Sequence, residues 1–156
     1  MDDVGDADGW RCWLCDEPVD RTKSVNDDRG PSVDSRMTSA KAKAKSKAKS
    51  HSGGAESVER IAHRACNTKK GAVAAVVAWH PDLFVVDPAP IVGSVERLQR
   101  KGGREIMARC PTRRDADQAA MWLEDRLSRL VPGSGLSASV ESGGGQFVVV
   151  VQLDRV

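Results

Sequence analysis

The clearest alternation of apolar and polar positions lies in the last third of the chain. In "RRDADQAAMWLEDRLSRL", Ala116, Ala119, Ala120, Leu123, Leu127 and Leu130 recur at helical spacing and make one apolar stripe. Thr112 and Asp115 fit a capping box at its start, and Pro132-Gly133 stops it. "LSASVE" and "QFVVVVQL" read as two strands joined across "SGGG". The run at residues 147–151 is continuous rather than alternating, which predicts a strand buried on both faces. Upstream, "IVGSVERLQR" and "REIMARC" read as two further strands, joined at Lys101-Gly102-Gly103. The order is then β-β-α-β-β, and the simplest packing is a four-stranded antiparallel sheet with one helix on a face.

The first half is more broken. Residues 1–9 are acidic and read as a disordered tail. Residues 10–36 are interrupted by Pro18, Gly30 and Pro31 and suit a hairpin of weak strands. Over residues 40–50 lysine takes every second position. No apolar face is available to a strand there, and a helix would carry like charges on all sides, so a loop is expected. Beyond it, Ala65, Ala72, Val76 and Trp79 fit helical spacing. They predict a helix over residues 62–79, weakened at Gly71 and ended by Pro81. "VVDPAPIVG" reads as a connector. Two small α+β domains are expected, at residues 10–84 and 85–156, with the lysine-rich loop inside the first.

Composition changes this picture in one respect. Aromatics are 4% of the 156 residues, with no Tyr, so a small core has few large side chains to fill it and a metal staple gains weight. No apolar run approaches the length of a membrane span, and the acidic start is no signal peptide, so a cytoplasmic, nucleoid-associated protein is expected. In that compartment cysteines serve as metal ligands or buried thiols more readily than as disulfides.

The four cysteines are unevenly placed. Cys12 and Cys15 form a Cys-x-x-Cys pair in "WRCWLCDEP". His63 and Cys66 form a second pair in "AHRACN", with a spacing that puts both on one face of a helix start. Two such pairs are the usual donor set of structural Zn²⁺. Closing the long intervening loop costs entropy only logarithmically. Zinc binding by such sets is worth roughly 10–16 kcal/mol. Two alternatives stand beside this one: a thioredoxin-type redox pair, which should follow a buried strand, and plain buried thiols with His63 at the surface. Cys110 has no close partner and reads as a core-facing strand residue.

The constellation "CWLC", "PSVDS", "SGG" and "AHRACNTKKG" resembles the HNH endonuclease family, in particular members with a zinc-stapled ββα-metal core. The likeness covers roughly residues 10–71. It implies structural Zn²⁺ on Cys12, Cys15, His63 and Cys66, and it aligns Asp34 and Asn67 with the two positions that hold a catalytic Mg²⁺ or Mn²⁺. It also shows departures. Ser35 stands where the family carries its general-base His, and a serine hydroxyl accepts no proton near neutral pH unaided. No Asn stands near Val58, where the family has one, and the lysine-rich run is an insertion. His51, within that insertion, is the one candidate for a replacement base. His80, beside Pro81, reads as a cap or a surface residue.

These residues imply a DNA-binding protein on a degenerate HNH fold that does not cleave; the alternative is an active metal-dependent HNH endonuclease. Lys41, Lys43 and Lys45 of the insertion, with Arg64, Lys69 and Lys70, suit phosphate contacts. In the second domain Arg97, Arg100, Lys101, Arg104, Arg109, Arg113 and Arg114 suit contact with duplex DNA or, on the bland reading, a charged sheet face. Relatives of the fold act in restriction of foreign and modified DNA. Recognition of methylated cytosine is therefore an extension by analogy, with Trp10 and Trp13 as candidate apolar readers. The second domain's sheet offers a further option, a homodimer through strand pairing.

Overall fold

In this computed structural model residues 1–36, 58–71 and 76–154 are described. Among them the protein is mixed α+β, with four helices and two small antiparallel sheets. The chain separates into two compact units, Met1–Ala75 and Val76–Val156.

The first unit contains α1 (Asp2–Ala7), β1 (Pro31–Arg36), β2 (Val58–His63) and α2 (Arg64–Lys70). Its N-terminal residues do not fray. Both oxygens of Asp8 are engaged on β2, one with Arg60 Nε at 2.8 Å and one with the Ile61 amide at 2.7 Å. These bonds reach across more than fifty positions, and local acidity gave no sign of them. Of the hairpin expected in residues 10–36 only a one-bridge antiparallel turn forms, with Arg11 opposite Pro18 and the Val19 amide donating to the Trp10 carbonyl. β1 pairs instead with β2, from Pro31 opposite His63 to Arg36 opposite Val58, so the two strands come from either side of the lysine-rich run.

The helix expected over residues 62–79 is shorter and starts later. Ile61 and Ala62 are fully buried in β2, and cross-strand pairing there overrides the helix preference of alanine. α2 stops at Gly71, whose φ of 56° suits glycine and whose amide returns to the Asn67 carbonyl. Trp79 belongs to the second unit. Its ring lies 5.5 Å from that of Trp122 and its indole N–H donates to the Ala89 carbonyl. These contacts place the division before Val76 rather than after residue 84.

The second unit contains α3 (Ile91–Lys101), β3 (Arg104–Cys110), α4 (Arg113–Leu130), β4 (Leu136–Gly143) and β5 (Gln146–Leu153). The segment expected as its first strand is α3. Its buried residues Ile91, Ser94, Val95 and Leu98 follow helical spacing, and a serine and a glycine among them dilute the apolar signal. Gly102 ends that helix at φ 68° and Gly103 opens β3, so the glycine pair serves a helix stop rather than a hairpin. The sheet accordingly has three strands, ordered β3-β5-β4.

α4 and the β4–β5 hairpin match expectation. Thr112 Oγ1 accepts the Asp115 amide at 3.1 Å as the N-cap, and the whole predicted stripe of α4 is buried. The residues from Val148 to Val151 are all buried, as the unbroken run in the central strand predicted. On one side of β5, half-buried Ala138 and Val140 of β4 share a face with Val149 and Val151 against α4. On the other side the Arg104–Glu141 ion pair, at 2.6 Å, spans the central strand from β3 to β4. Cys110 is fully buried in β3. No helix among the described residues is long and apolar enough to cross a membrane.

Candidate metal centre

Cys12 and Cys15 sit in a closed turn. The Cys12 amide donates to the Glu17 carbonyl and the Asp16 amide to the Cys12 carbonyl, with Asp16 at φ 65°. The Trp13 amide donates to the Ile61 carbonyl, which docks this turn on β2. β2 ends at His63 and α2 begins at once, so His63 and Cys66 flank the strand–helix junction. The first amides of α2 are satisfied from the loop before β1: Arg64 donates to the Gly30 carbonyl and Ala65 to the Asp28 carbonyl. Gly30 is buried, and a Cβ there would fall 2.0 Å from the Ser24 carbonyl oxygen, so no larger residue fits this crossing.

The donor atoms of Cys12, Cys15, His63 and Cys66 all lie within 4.8 Å of one another. Cys15 Sγ is 3.3 Å and Cys66 Sγ 3.9 Å from His63 Nδ1. A tetrahedral ion about 2.3 Å from each sulfur would hold its ligands roughly 3.8 Å apart, so the cluster has the dimensions of one metal ion. The histidine also has the right tautomer. Its Nε2 is 3.0 Å from the Pro18 carbonyl, which can only accept, so Nε2 carries the proton and Nδ1 turns its lone pair to the three sulfurs. The Cys12 thiol is held down, to about 5, chiefly by its hydrogen bond with Cys15, while that shared bond pushes the Cys15 thiol up. Burial pushes the Cys66 thiol up. Without metal the thiols therefore share protons that an incoming cation would displace. This geometry disfavours the thioredoxin-type reading, since the cysteine pair follows a short helix and opens a turn.

The two residues aligned with a catalytic cation are both engaged by other side chains or backbone. Asp34 is buried. Its Oδ1 faces the Lys70 ammonium at 3.0 Å and its Oδ2 accepts the Trp13 indole N–H at 3.0 Å. Asn67 donates its amide to Ser32 Oγ and to the Val33 carbonyl. Ser35 is exposed. His51 and the glycines before β2 lie outside the described residues, as do Lys41, Lys43 and Lys45. Local sequence gave no signal for the Asp34–Lys70 pair, which joins a strand to a helix from distant segments.

Many of the other cations expected at a DNA surface are paired with carboxylates. Arg64 meets Asp28, Arg97 meets Glu105, Arg104 meets Glu141 and Arg113 meets Asp117, each within 3.0 Å. Lys69, Arg100, Lys101 and Arg114 are exposed and make no ion pair among the described residues. The tryptophans proposed as readers are not free surfaces. Trp13 is 1% exposed, and Trp10 bonds Asp6 while Arg21 stacks on its ring. His80 is an exposed turn residue whose Nδ1 accepts the Asp82 amide.

Comparison with protein-family models, with curated proteins and with solved structures gave no match.

Proposed function

We propose that this protein is a zinc-containing DNA-binding protein on a degenerate HNH-type unit, and that it does not cut. The observation that carries the reading is the junction of β2 and α2. Two metal ligands there fix a helix onto an antiparallel strand pair, and the last turn of that helix carries Lys69 and Lys70. Three sulfurs and one imidazole in tetrahedral dimensions favour Zn²⁺ over harder cations. In this role the ion is structural, and the chain's own four ligands complete its coordination.

Two observations support binding without cleavage. The carboxylate that would hold a catalytic cation already faces an ammonium group and an indole N–H. The position beside it is a serine, which supplies no base near neutral pH. Exposed Lys69 is the cation of α2 left for phosphate. The lysines of residues 41–49 would add counterion release, giving an affinity that falls steeply with salt. Methylated DNA is retained as the candidate target by analogy with restriction systems alone.

The test is a gel-shift titration on matched duplexes, unmodified and cytosine-methylated, with Mn²⁺ or Mg²⁺ present and the DNA checked for cuts. The expected result is a salt-sensitive shift, intact DNA, and a log–log salt slope that falls by about one when Lys69 becomes alanine. Cutting would restore the nuclease reading, and no shift on either duplex would end the DNA reading.

A further inference from the structure

The two edges of the second unit's sheet are treated differently. Along β3, residues 86–89 cover the outer edge: Val86 and Arg109 exchange amide bonds, and the Ala89 amide donates to the Met107 carbonyl. Pro88 and Pro90 in and beside this segment offer no amide to a further strand. Along β4 nothing among the described residues pairs with the outer edge. That edge runs from Leu136 to Gly143, with no proline, no lysine and a single charge, Glu141.

The alternation of an antiparallel ladder fixes which groups face outward. Gly135 accepts the Asp154 amide, so the pairs whose groups face β5 are the odd-numbered residues of β4. The amides and carbonyls of Leu136, Ala138, Val140 and Ser142 therefore point to the open edge. We infer that β4 is the seat of a two-fold dimer, in which it pairs antiparallel with β4 of a second copy about Ser139.

The register follows from two requirements. Outward-facing residues must oppose one another, which pairs Ala138 with Val140 of the partner subunit and Leu136 with Ser142 of the partner subunit. Like charges must not face each other. An axis at Glu141 would oppose two carboxylates, one at Val140 would leave them only about 7 Å apart along the strands, and one at Ala138 would pair only the five residues 136–140, whereas an axis at Ser139 sets Glu141 against Ser137 of the partner subunit. The two carboxylates are then about 14 Å apart along the strands. This register also uses seven residues of the edge. It covers the half-buried side chains of Leu136, Ala138 and Val140 on the α4 side and brings the exposed Ser139 of each copy together on the other side.

The test uses the full chain with its metal. Sedimentation over rising concentration should carry the mean mass from one chain towards two. Ser139→Lys, on an exposed side chain, should weaken association about tenfold or more by opposing two ammonium groups, with the thermal midpoint of the monomer unchanged. Under mild oxidation Ser139→Cys should give a covalent dimer on denaturing gels, whereas Ser137→Cys, which faces Glu141 of the partner subunit, should not. A chain that stays monomeric at every concentration would overturn the inference. So would a dimer indifferent to Ser139→Lys, or equal cross-linking at Ser137 and Ser139.

Discussion

The two units hold themselves together by different means. Among the described residues the second unit buries seventeen apolar side chains, including Leu123, Leu127 and Leu130 on α4 and the four valines of β5. The first buries six beside the polar Asp34, Arg60 and His63, where the second buries Ser94 and Arg126 within its larger apolar core. At about 1.5–3 kcal/mol for each large side chain, burial contributes far more to the second unit than to the first. What closes the first unit is directional: a cluster of three cysteines and a histidine with the dimensions of a metal site, the Asp8–Arg60 pair and the Asp34–Lys70 pair. A small segment with few large apolar residues can hold one structure if its polar groups are paired across long sequence separations.

Metal removal is the strongest way to separate the two. Ligation by such sets contributes roughly 10–16 kcal/mol, more than a small domain's whole stability. A strong chelator, or Cys66→Ser, should therefore unfold the first unit and leave the second intact. Hydrogen exchange would show it directly: amides of β1, β2 and α2 lose protection, and those of β5 and α4 keep theirs. Simultaneous loss in both units would refute the division of labour.

Next in size is the buried ion pair. Lys70 and Asp34 have side chains 12% and 6% exposed, so removing one partner strands a charge. Lys70→Met should cost about 3–5 kcal/mol, and adding Asp34→Asn should return part of it. Denaturation of the zinc-loaded protein would measure both, with Asp34→Asn alone completing the cycle, and a loss in the double variant equal to the sum of the two single losses would mean that the pair carries no coupling. In the second unit, Leu123→Ala should cost about 2–5 kcal/mol through the cavity it leaves, with the same value before and after chelation.

What the sequence disclosed follows the same divide. α4 was legible because its stripe, its Thr112 cap and its Pro132-Gly133 stop all agree locally. β5 was legible because four consecutive valines need cover on both faces. The ligand cluster was legible because each half is a short-range pair, so only the meeting of the halves had to be inferred. α3 was misread because Gly93 and Ser94 interrupt its apolar face and the glycine pair after it suits a hairpin equally well. The anchoring of the N-terminus and the Asp34–Lys70 pair were invisible because both join charged residues from distant segments. A charged residue alone gives no sign of whether it faces water or a partner.

The smallest effect expected lies on the surface of the second unit and concerns acid. Its hydrogen bond with Arg97 holds the Glu105 carboxyl below the usual carboxylate range. A carboxylate depressed in the folded state stabilises it above the unfolded value, and that contribution is lost as pH falls through the folded value. Glu105→Gln should thus lower the second unit's thermal midpoint slightly at neutral pH, by an amount that shrinks with salt because both partners are solvent-accessible. Wild type and variant should converge in acid. The first unit should respond to the same acid more steeply, since protons compete with the metal for three sulfurs and an imidazole. If chelation has already removed the metal, that steep limb should vanish, while the shallow Glu105 contribution in the second unit stays where it was.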